Sequence, residues 1–108
     1  DHGFVYISGT AAIRGEQSLE GVGIEEQTLA TLENIKYLVS AENLGESGIP
    51  VTKDASYICF RVYVKRWEDM AKTREVITRQ YPDLPAVYTL TDVCRSELLI
   101  EIEGMGVI

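Results

Sequence analysis

The stretch Leu98-Leu99-Ile100-Glu101-Ile102-Glu103 decides the fold of this 108-residue chain. Its alternate side chains fall on opposite sides of an extended backbone, with Leu98, Ile100 and Ile102 against Leu99, Glu101 and Glu103. This period of two predicts a strand with one face on a hydrophobic core, continuing to about Val107. Because a carboxylate is costly to bury unpaired, we expect one of the two glutamates to point into a polar pocket and the other to reach an arginine or solvent.

Two further β-forming runs precede this strand. Residues 87–93 are rich in β-branched side chains, and the short link Arg95-Ser96-Glu97 before Leu98 predicts a hairpin. Residues 55–64 also alternate. One predicted face carries Ser56, Ile58, Phe60, Val62 and Val64, and the other carries Tyr57, Cys59, Arg61 and Tyr63. This second run predicts a central strand.

The remaining elements are a first strand and two helices. Residues 4–7 are β-formers, closed by the small residues Ser8-Gly9-Thr10. Residues 24–41 have helical periodicity, with acidic side chains in the first turn, and residues 45–50 predict a loop after them. A second helix is predicted from Glu68 until Pro82 ends it.

The predicted order is therefore β-α-β-α-β-β, an α+β fold in which two helices cover one face of a mixed, mostly antiparallel sheet. The other face is predicted to carry a mixture of aromatic, charged and polar side chains: Tyr57, Arg61, Tyr63, Cys94, Glu101 and Glu103. Such a face is too polar for the core of a monomer and too apolar for open water. We expect sister subunits or a ligand to cover it.

Charge and composition exclude several classes of function. The chain has 17 acidic and 10 basic residues, and its net charge of −7 opposes nucleic acid as a partner. No apolar run is long enough to span a membrane and no signal-peptide pattern is found, so we expect a cytoplasmic protein without a membrane partner. The one histidine, His2, leaves no metal-ligand cluster and no histidine triad. Cys59 and Cys94 lack CxxC spacing and are expected to be reduced thiols.

Glu101 is the candidate acid/base residue. It lies inside a predicted strand, where an unpaired carboxylate is unusual. The alternative is a salt bridge between subunits, to Arg61 or Arg95.

Five separated landmarks resemble the YjgF/Rid family in order and spacing. They are Tyr6-Ile7-Ser8-Gly9-Thr10, the helix from Glu26 to Ile35, Val62-Tyr63-Val64, Pro85-Ala86 and Ile100-Glu101-Ile102-Glu103. The resemblance covers nearly the whole chain. It implies a chorismate-mutase-like homotrimer that binds a small-molecule substrate in three clefts between subunits, without a cofactor.

The best-known activity of that family is hydrolysis of enamines and imines to keto acids, in which an arginine directly after Pro-Ala binds the substrate carboxylate. Val87 occupies that place here, and an isopropyl group cannot replace a bidentate guanidinium. Arg61, Arg95 or Arg14 is left to supply the charge. The family's water-binding glutamate corresponds to Glu101.

A second resemblance is to the carboxy-terminal domain of chorismatases, which hydrolyse chorismate to pyruvate and a cyclohexadiene-diol or hydroxybenzoate. The similar segments are residues 8–11, 60–64, 92–95 and 97–104. This resemblance implies that Glu101 protonates the enol-ether carbon and that small residues near Thr10 and Ala11 leave room for the ring. Cys94 and Tyr88 are expected to line the same cleft.

Chorismatases carry a large amino-terminal domain, and Rid proteins usually have an edge strand before the first strand found here. We therefore expect residues 1–108 to form one domain that lacks such a preceding segment. Three hypotheses follow. The first is a cofactor-free hydrolase of a small unsaturated carboxylic acid, with Glu101 as acid/base and Arg95 or Arg61 as anion clamp. The second is a trimer that binds a metabolite without turnover, and the third, disfavoured by the acidic charge, is a ribonuclease.

Overall fold

The computed structural model describes residues 3–11, 13–14, 17–18, 23–49, 51, 53–91 and 98–108. The strands are β1 (Phe4–Thr10), β2 (Ile13–Arg14), β3 (Gln17–Ser18), β4 (Ser56–Val64), β5 (Ala86–Leu90) and β6 (Ile100–Val107). The helices are α1 (Ile24–Leu38), α2 (Ala41–Glu46) and α3 (Met70–Gln80), and one 3-10 turn, Trp67–Asp69, leads into α3. The described part of the chain therefore confirms an α+β fold.

The main sheet has the strand order β1-β6-β4-β5, while β2 and β3 pair only with each other. Strand β6 is antiparallel to both of its neighbours, and β5 is parallel to β4. Helices α1 and α3 pack together on one face of this sheet. The predicted mixed, mostly antiparallel sheet with two helices on one face is thus confirmed.

The predicted hairpin between the last two strands is wrong. β4 lies between β5 and β6, so the two strands are not neighbours. The reason is the helix α3, which connects β4 to β5, because a strand-helix-strand unit places its two strands parallel and side by side. Strand β6 then fills the gap between β1 and β4.

The core lies between the sheet and the helices, and β6 supplies its centre. Ile100 and Ile102 are fully buried, whereas Glu101 and Glu103 are only partly buried, as the alternation predicts. Phe60, Val62 and Val64 of β4 pack beside them, and Ile35 of α1 covers them. The core therefore fixes which face of β6 remains open.

The start of β4 departs from the predicted alternation. Tyr57 pairs with Gly106 and Cys59 pairs with Met105, so one extra residue of β4 forms a bulge there. A bulge of one residue moves the preceding side chains to the opposite face. The ring of Tyr57 consequently lies 5.0 Å from that of Phe60, on the core side, and Ile58 is 37% exposed. The predicted faces of Ser56, Tyr57 and Ile58 were therefore wrong.

The first helix is shorter than predicted. It ends at Leu38, and a second helix, α2, runs from Ala41 to Glu46 and so includes the first two residues of the predicted loop. Ser40 causes the break, because its hydroxyl oxygen accepts a hydrogen bond from the Asn43 N–H at 3.2 Å and so caps a new helix. In the described ranges, no helix has the length and hydropathy needed to cross a membrane.

Candidate functional site

The sheet face opposite the helices, hereafter the open face, is only partly shielded from solvent. It carries Phe4 and Tyr6 from β1, Cys59, Arg61 and Tyr63 from β4, Val87 from β5, and Glu101, Glu103 and Met105 from β6. Tyr6 is 65% exposed and Val87 63%. The open face therefore carries charged and hydroxyl side chains next to exposed apolar ones.

Glu103 is bound by three side chains from the neighbouring strands. The Tyr63 hydroxyl donates to Oε1 at 2.5 Å, and the Tyr6 hydroxyl donates to Oε2 at 2.8 Å. Nη1 of Arg61 lies 3.8 Å from Oε1. The two phenol hydrogen bonds, followed by the charge of Arg61, hold the pKa of Glu103 below its usual value. Glu103 is therefore a stable anion at neutral pH.

The same contacts act on the two phenols. Each hydrogen bond to Glu103 raises the pKa of its tyrosine, for Tyr6 and for Tyr63, because losing the phenol proton would place a second negative charge beside the carboxylate. Both phenols consequently stay protonated and keep Glu103 in place.

Glu101 has different surroundings, although it lies on the same face only two positions earlier. It is opposite Tyr63 in the β4–β6 pairing, and its carboxylate rests against Gly9 of β1. A Cβ atom added at Gly9 would lie 1.9 Å from Oε1 of Glu101, so only glycine leaves room for the carboxylate in this position. Among the described residues Glu101 has no ion pair, and Arg61, its predicted alternative partner, contacts Glu103 instead.

A groove of about 410 Å³ opens at the end of β1 that carries Gly9. Its walls include Thr10 and Ala11, which lead out of the strand, and Asn34 from α1. The Asn34 side-chain amide donates to the Ala11 carbonyl oxygen at 2.9 Å and so fixes this corner to the helix. Gly9 belongs to the groove and lies against Glu101, but Glu101 is not among the lining residues, and Thr10 is paired with the buried Ile102. That Thr10 and Ala11 share a cleft with Glu101 therefore stays a prediction.

Val87 and Arg61 are lateral neighbours. They are paired in the parallel β4–β5 register, and Arg61 is in turn paired with Glu103. Neighbouring strands lie about 4.8 Å apart. The side chain of Arg61 therefore starts directly beside Val87, at the position that corresponds to the carboxylate-binding arginine of Rid enzymes. The Arg61 side chain is 70% exposed.

Among the described residues, Tyr88 is a predicted site residue that does not lie near Glu101. Tyr88 packs against the core on the helix side of the sheet, and the guanidinium carbon of Arg74 lies 5.3 Å from the centre of its ring. Adjacent strand residues face opposite ways, so Val87 and Tyr88 could not both have lined one cleft. Cys94 and Arg95 lie outside the described residues, as does the side chain of Arg14.

Gln27 is a buried residue that the sequence analysis missed. It lies on the core side of α1, and its side-chain oxygen accepts a hydrogen bond from the Leu99 N–H at 2.8 Å. This contact ties α1 to the residue that precedes β6, and hence to the position of Glu101. The signal for it was a set of polar residues at helical spacing within the apolar stripe: Gln27, Thr28 and Thr31.

Comparison with known proteins shows which proteins the chain is similar to. No protein-family model matches the chain. A 3-hydroxybenzoate synthase from Streptomyces hygroscopicus is 38% identical over 105 residues, covering 95% of this chain and 31% of the relative. A chorismatase from Streptomyces rapamycinicus is 33% identical over 109 residues, covering 97% of this chain and 32% of the relative.

Solved structures give the same picture. A chorismatase crystal structure superposes with a TM-score of 0.89 at 33% identity, over 96% of this chain and 32% of that one. The chain has the YjgF/Rid fold and is homologous to chorismatases. A Rid-family protein, YyfA of Yersinia pestis, has the same fold, with a TM-score of 0.75 and 17% identity over 98% of this chain and 81% of its own. This Rid-type domain spans about a third of the length of the curated chorismatases that it matches.

Proposed function

We propose that this Rid-type domain supplies the acid/base residue Glu101 to a cofactor-free hydrolase that acts on a small unsaturated carboxylic acid. The observation that carries the proposal is the contrast between the two carboxylates of β6. Glu103 is bound on both oxygens by phenols, whereas Glu101 lies against Gly9 and has no ion pair among the described residues. The named chorismatase and 3-hydroxybenzoate synthase relatives make chorismate the first substrate to test.

Hydrolysis of an enol ether needs one well-placed carboxyl group. In the proposed reaction the Glu101 carboxyl delivers its proton to the terminal carbon of the enolpyruvyl group, and the adjacent carbon becomes an oxocarbenium ion. A water molecule adds its oxygen to that carbon and returns a proton to Glu101. The hemiketal then breaks its bond to the ring oxygen, its hydroxyl proton passes to that oxygen, and pyruvate leaves.

The same carboxyl group would serve enamine or imine hydrolysis, in which water attacks a C=N carbon. This route needs a cation for the substrate carboxylate, and Val87 cannot provide one. Arg61 or Arg95 would replace the missing arginine, with Val87, Cys94, Thr10 and Ala11 as walls of the cleft. The homology to chorismatases favours the enol ether over the imine.

The proposal includes a homotrimer with a cleft at each subunit interface. It is supported by the apolar side chains that the open face exposes, which include Phe4 at 75% and Val87 at 63%. A cleft closed by a second subunit would also exclude water from Glu101, which strengthens its interaction with a developing charge.

A second candidate function is binding without turnover, favoured by the aliphatic side chain of Val87 at the clamp position. The two candidates differ in a single measurement, because a binding protein would retain affinity for chorismate while releasing no pyruvate.

The test is pyruvate release from chorismate, followed by a coupled lactate dehydrogenase assay, with a 2-aminoacrylate-type imine assayed in parallel. We expect Glu101→Gln to lower kcat at least about 100-fold, the usual contribution of a general acid, with a small effect on KM. Glu46→Gln is the matched control, because Glu46 is exposed on α2, away from the sheet. Equal turnover by the wild type and Glu101→Gln would overturn the proposal.

A further inference from the structure

Arg61 is the cation among the described residues of the open face, and three of its properties suit it to bind an anion. Its side chain is 70% exposed, it is paired laterally with Val87, and its guanidinium lies near Glu103. We propose that Arg61 binds the carboxylate of the substrate and that Glu103, held by Tyr6 and Tyr63, is the residue that positions it. The identity of that substrate rests on the proposed function, whereas the anion subsite does not depend on turnover.

The Arg61–Glu103 contact is too loose to occupy the guanidinium. A full arginine–carboxylate pair has two parallel hydrogen bonds of about 2.8 Å, but here one nitrogen lies 3.8 Å from Oε1. Each oxygen of Glu103 already has another donor, because Tyr63 donates to Oε1 and Tyr6 to Oε2. Since a guanidinium has five N–H donors, Arg61 keeps a free edge for a second anion.

The phenols lower the pKa of Glu103, which is already ionised at neutral pH with its ordinary pKa. The ionised Glu103 attracts Arg61 across the strand pair and limits the positions that a long, exposed side chain can take. Without that attraction, Arg61 would have to be ordered by the substrate itself, which would cost side-chain entropy on binding. Glu103 therefore acts through Arg61 rather than on the substrate.

The position of Arg61 suits an enolpyruvyl group. Arg61 is paired with Glu103, and Tyr63 with Glu101, so Arg61 and Glu101 are diagonal neighbours, about 7–8 Å apart at their Cα atoms. In an enolpyruvyl group, the carboxylate is two bonds from the carbon that accepts the proton. A cation that binds this carboxylate must therefore lie close to the proton donor, within reach of an arginine side chain on the next strand.

Binding of pyruvate and of uncharged pyruvamide, titrated by NMR, separates charge recognition from shape. We expect Arg61→Met to weaken pyruvate binding at least about 10-fold and to leave pyruvamide binding unchanged, while Arg61→Lys keeps part of the affinity because it keeps the charge without the planar fork. Arg79→Met is the matched control, because Arg79 is a half-exposed arginine on α3. Wild-type affinity in Arg61→Met, or no pyruvate binding by the wild type, would overturn the subsite.

A double-mutant cycle tests the role of Glu103. Glu103→Gln should weaken pyruvate binding in the wild type but have no further effect in Arg61→Met, because it acts only through that guanidinium. Equal effects in both backgrounds would show that Glu103 does not position Arg61. If chorismate is not turned over but pyruvate binding still depends on Arg61, the proposed function fails and the anion subsite stands.

Discussion

Gly9 shows how one missing side chain can set the geometry of a site. Its Cα faces the Glu101 carboxylate so closely that a Cβ would lie 1.9 Å from Oε1, and the three heavy atoms nearest to such a Cβ all belong to the Glu101 side chain. The end of a glutamate side chain can rotate away, so the collision would change the site more than the fold.

We therefore expect Gly9→Ala to lower chorismate turnover at least about 10-fold while the free energy of unfolding changes by less than about 1 kcal/mol. Urea unfolding and the coupled pyruvate assay measure the two quantities. Gly45→Ala is the control: a Cβ at Gly45 meets nothing within 4 Å, and alanine stabilises a helix interior by about 0.5–1 kcal/mol. Full activity in Gly9→Ala would mean that Glu101 works from another position.

At the residue scale, the sequence predicts the face on which the two glutamates of β6 lie, but not the partners of each. The alternation of β6 was enough to place Glu101 and Glu103 on the open face and to expect that one of them would meet an arginine, which Glu103 does. It could not show which glutamate, because that depends on Tyr6 and Tyr63, whose hydroxyls converge on Glu103 from strands far apart in the chain. The pairing of strands, not local pattern, supplies that information.

One hydrogen bond joins α1 to the residue before β6, and the position of Glu101 depends on this contact. The Leu99 N–H donates to the side-chain oxygen of Gln27, and both residues are buried. An unpaired buried N–H costs about 1–3 kcal/mol.

Gln27→Leu should consequently lower the free energy of unfolding by about 1–3 kcal/mol, although leucine is the more hydrophobic residue. Chemical denaturation measures the change. Gln80→Leu, at the exposed end of α3, is the matched control and should alter stability by less than about 0.5 kcal/mol. A Gln27→Leu protein as stable as the wild type would show that the hydrogen bond adds nothing beyond packing.

At the element scale, the sequence predicts the number and type of the main elements better than their partners. The short link at Arg95-Ser96-Glu97 suggested a hairpin, but the strand-helix-strand order of β4, α3 and β5 is the stronger signal and requires a parallel pair. The bulge near Ile58 left no mark in the sequence, because one extra residue interrupts the alternation without changing its composition.

The open face makes a prediction about the whole molecule. Phe4 is 75% exposed on this face, and Trp67 is 72% exposed in the turn before α3, so one aromatic residue tests the proposed interface and the other serves as its control. We expect light scattering to give a mass close to three times the 12.0 kDa of one chain. Phe4→Glu should reduce that mass and Trp67→Glu should not. A wild-type monomer would remove the proposed intersubunit cleft.

The strand order also governs when this molecule can fold during its synthesis. Strand β6 pairs with both β1 and β4, and it follows both in the chain. Tyr6 of β1 and Glu103 of β6, which are hydrogen-bonded, are 97 positions apart. A nascent chain that ends before β6 contains β1 and β4 without the strand that lies between them. Helix α1 then lacks part of the sheet against which it packs. Such high contact order slows folding. Glu101 and the strand that closes the sheet therefore leave the ribosome in one segment.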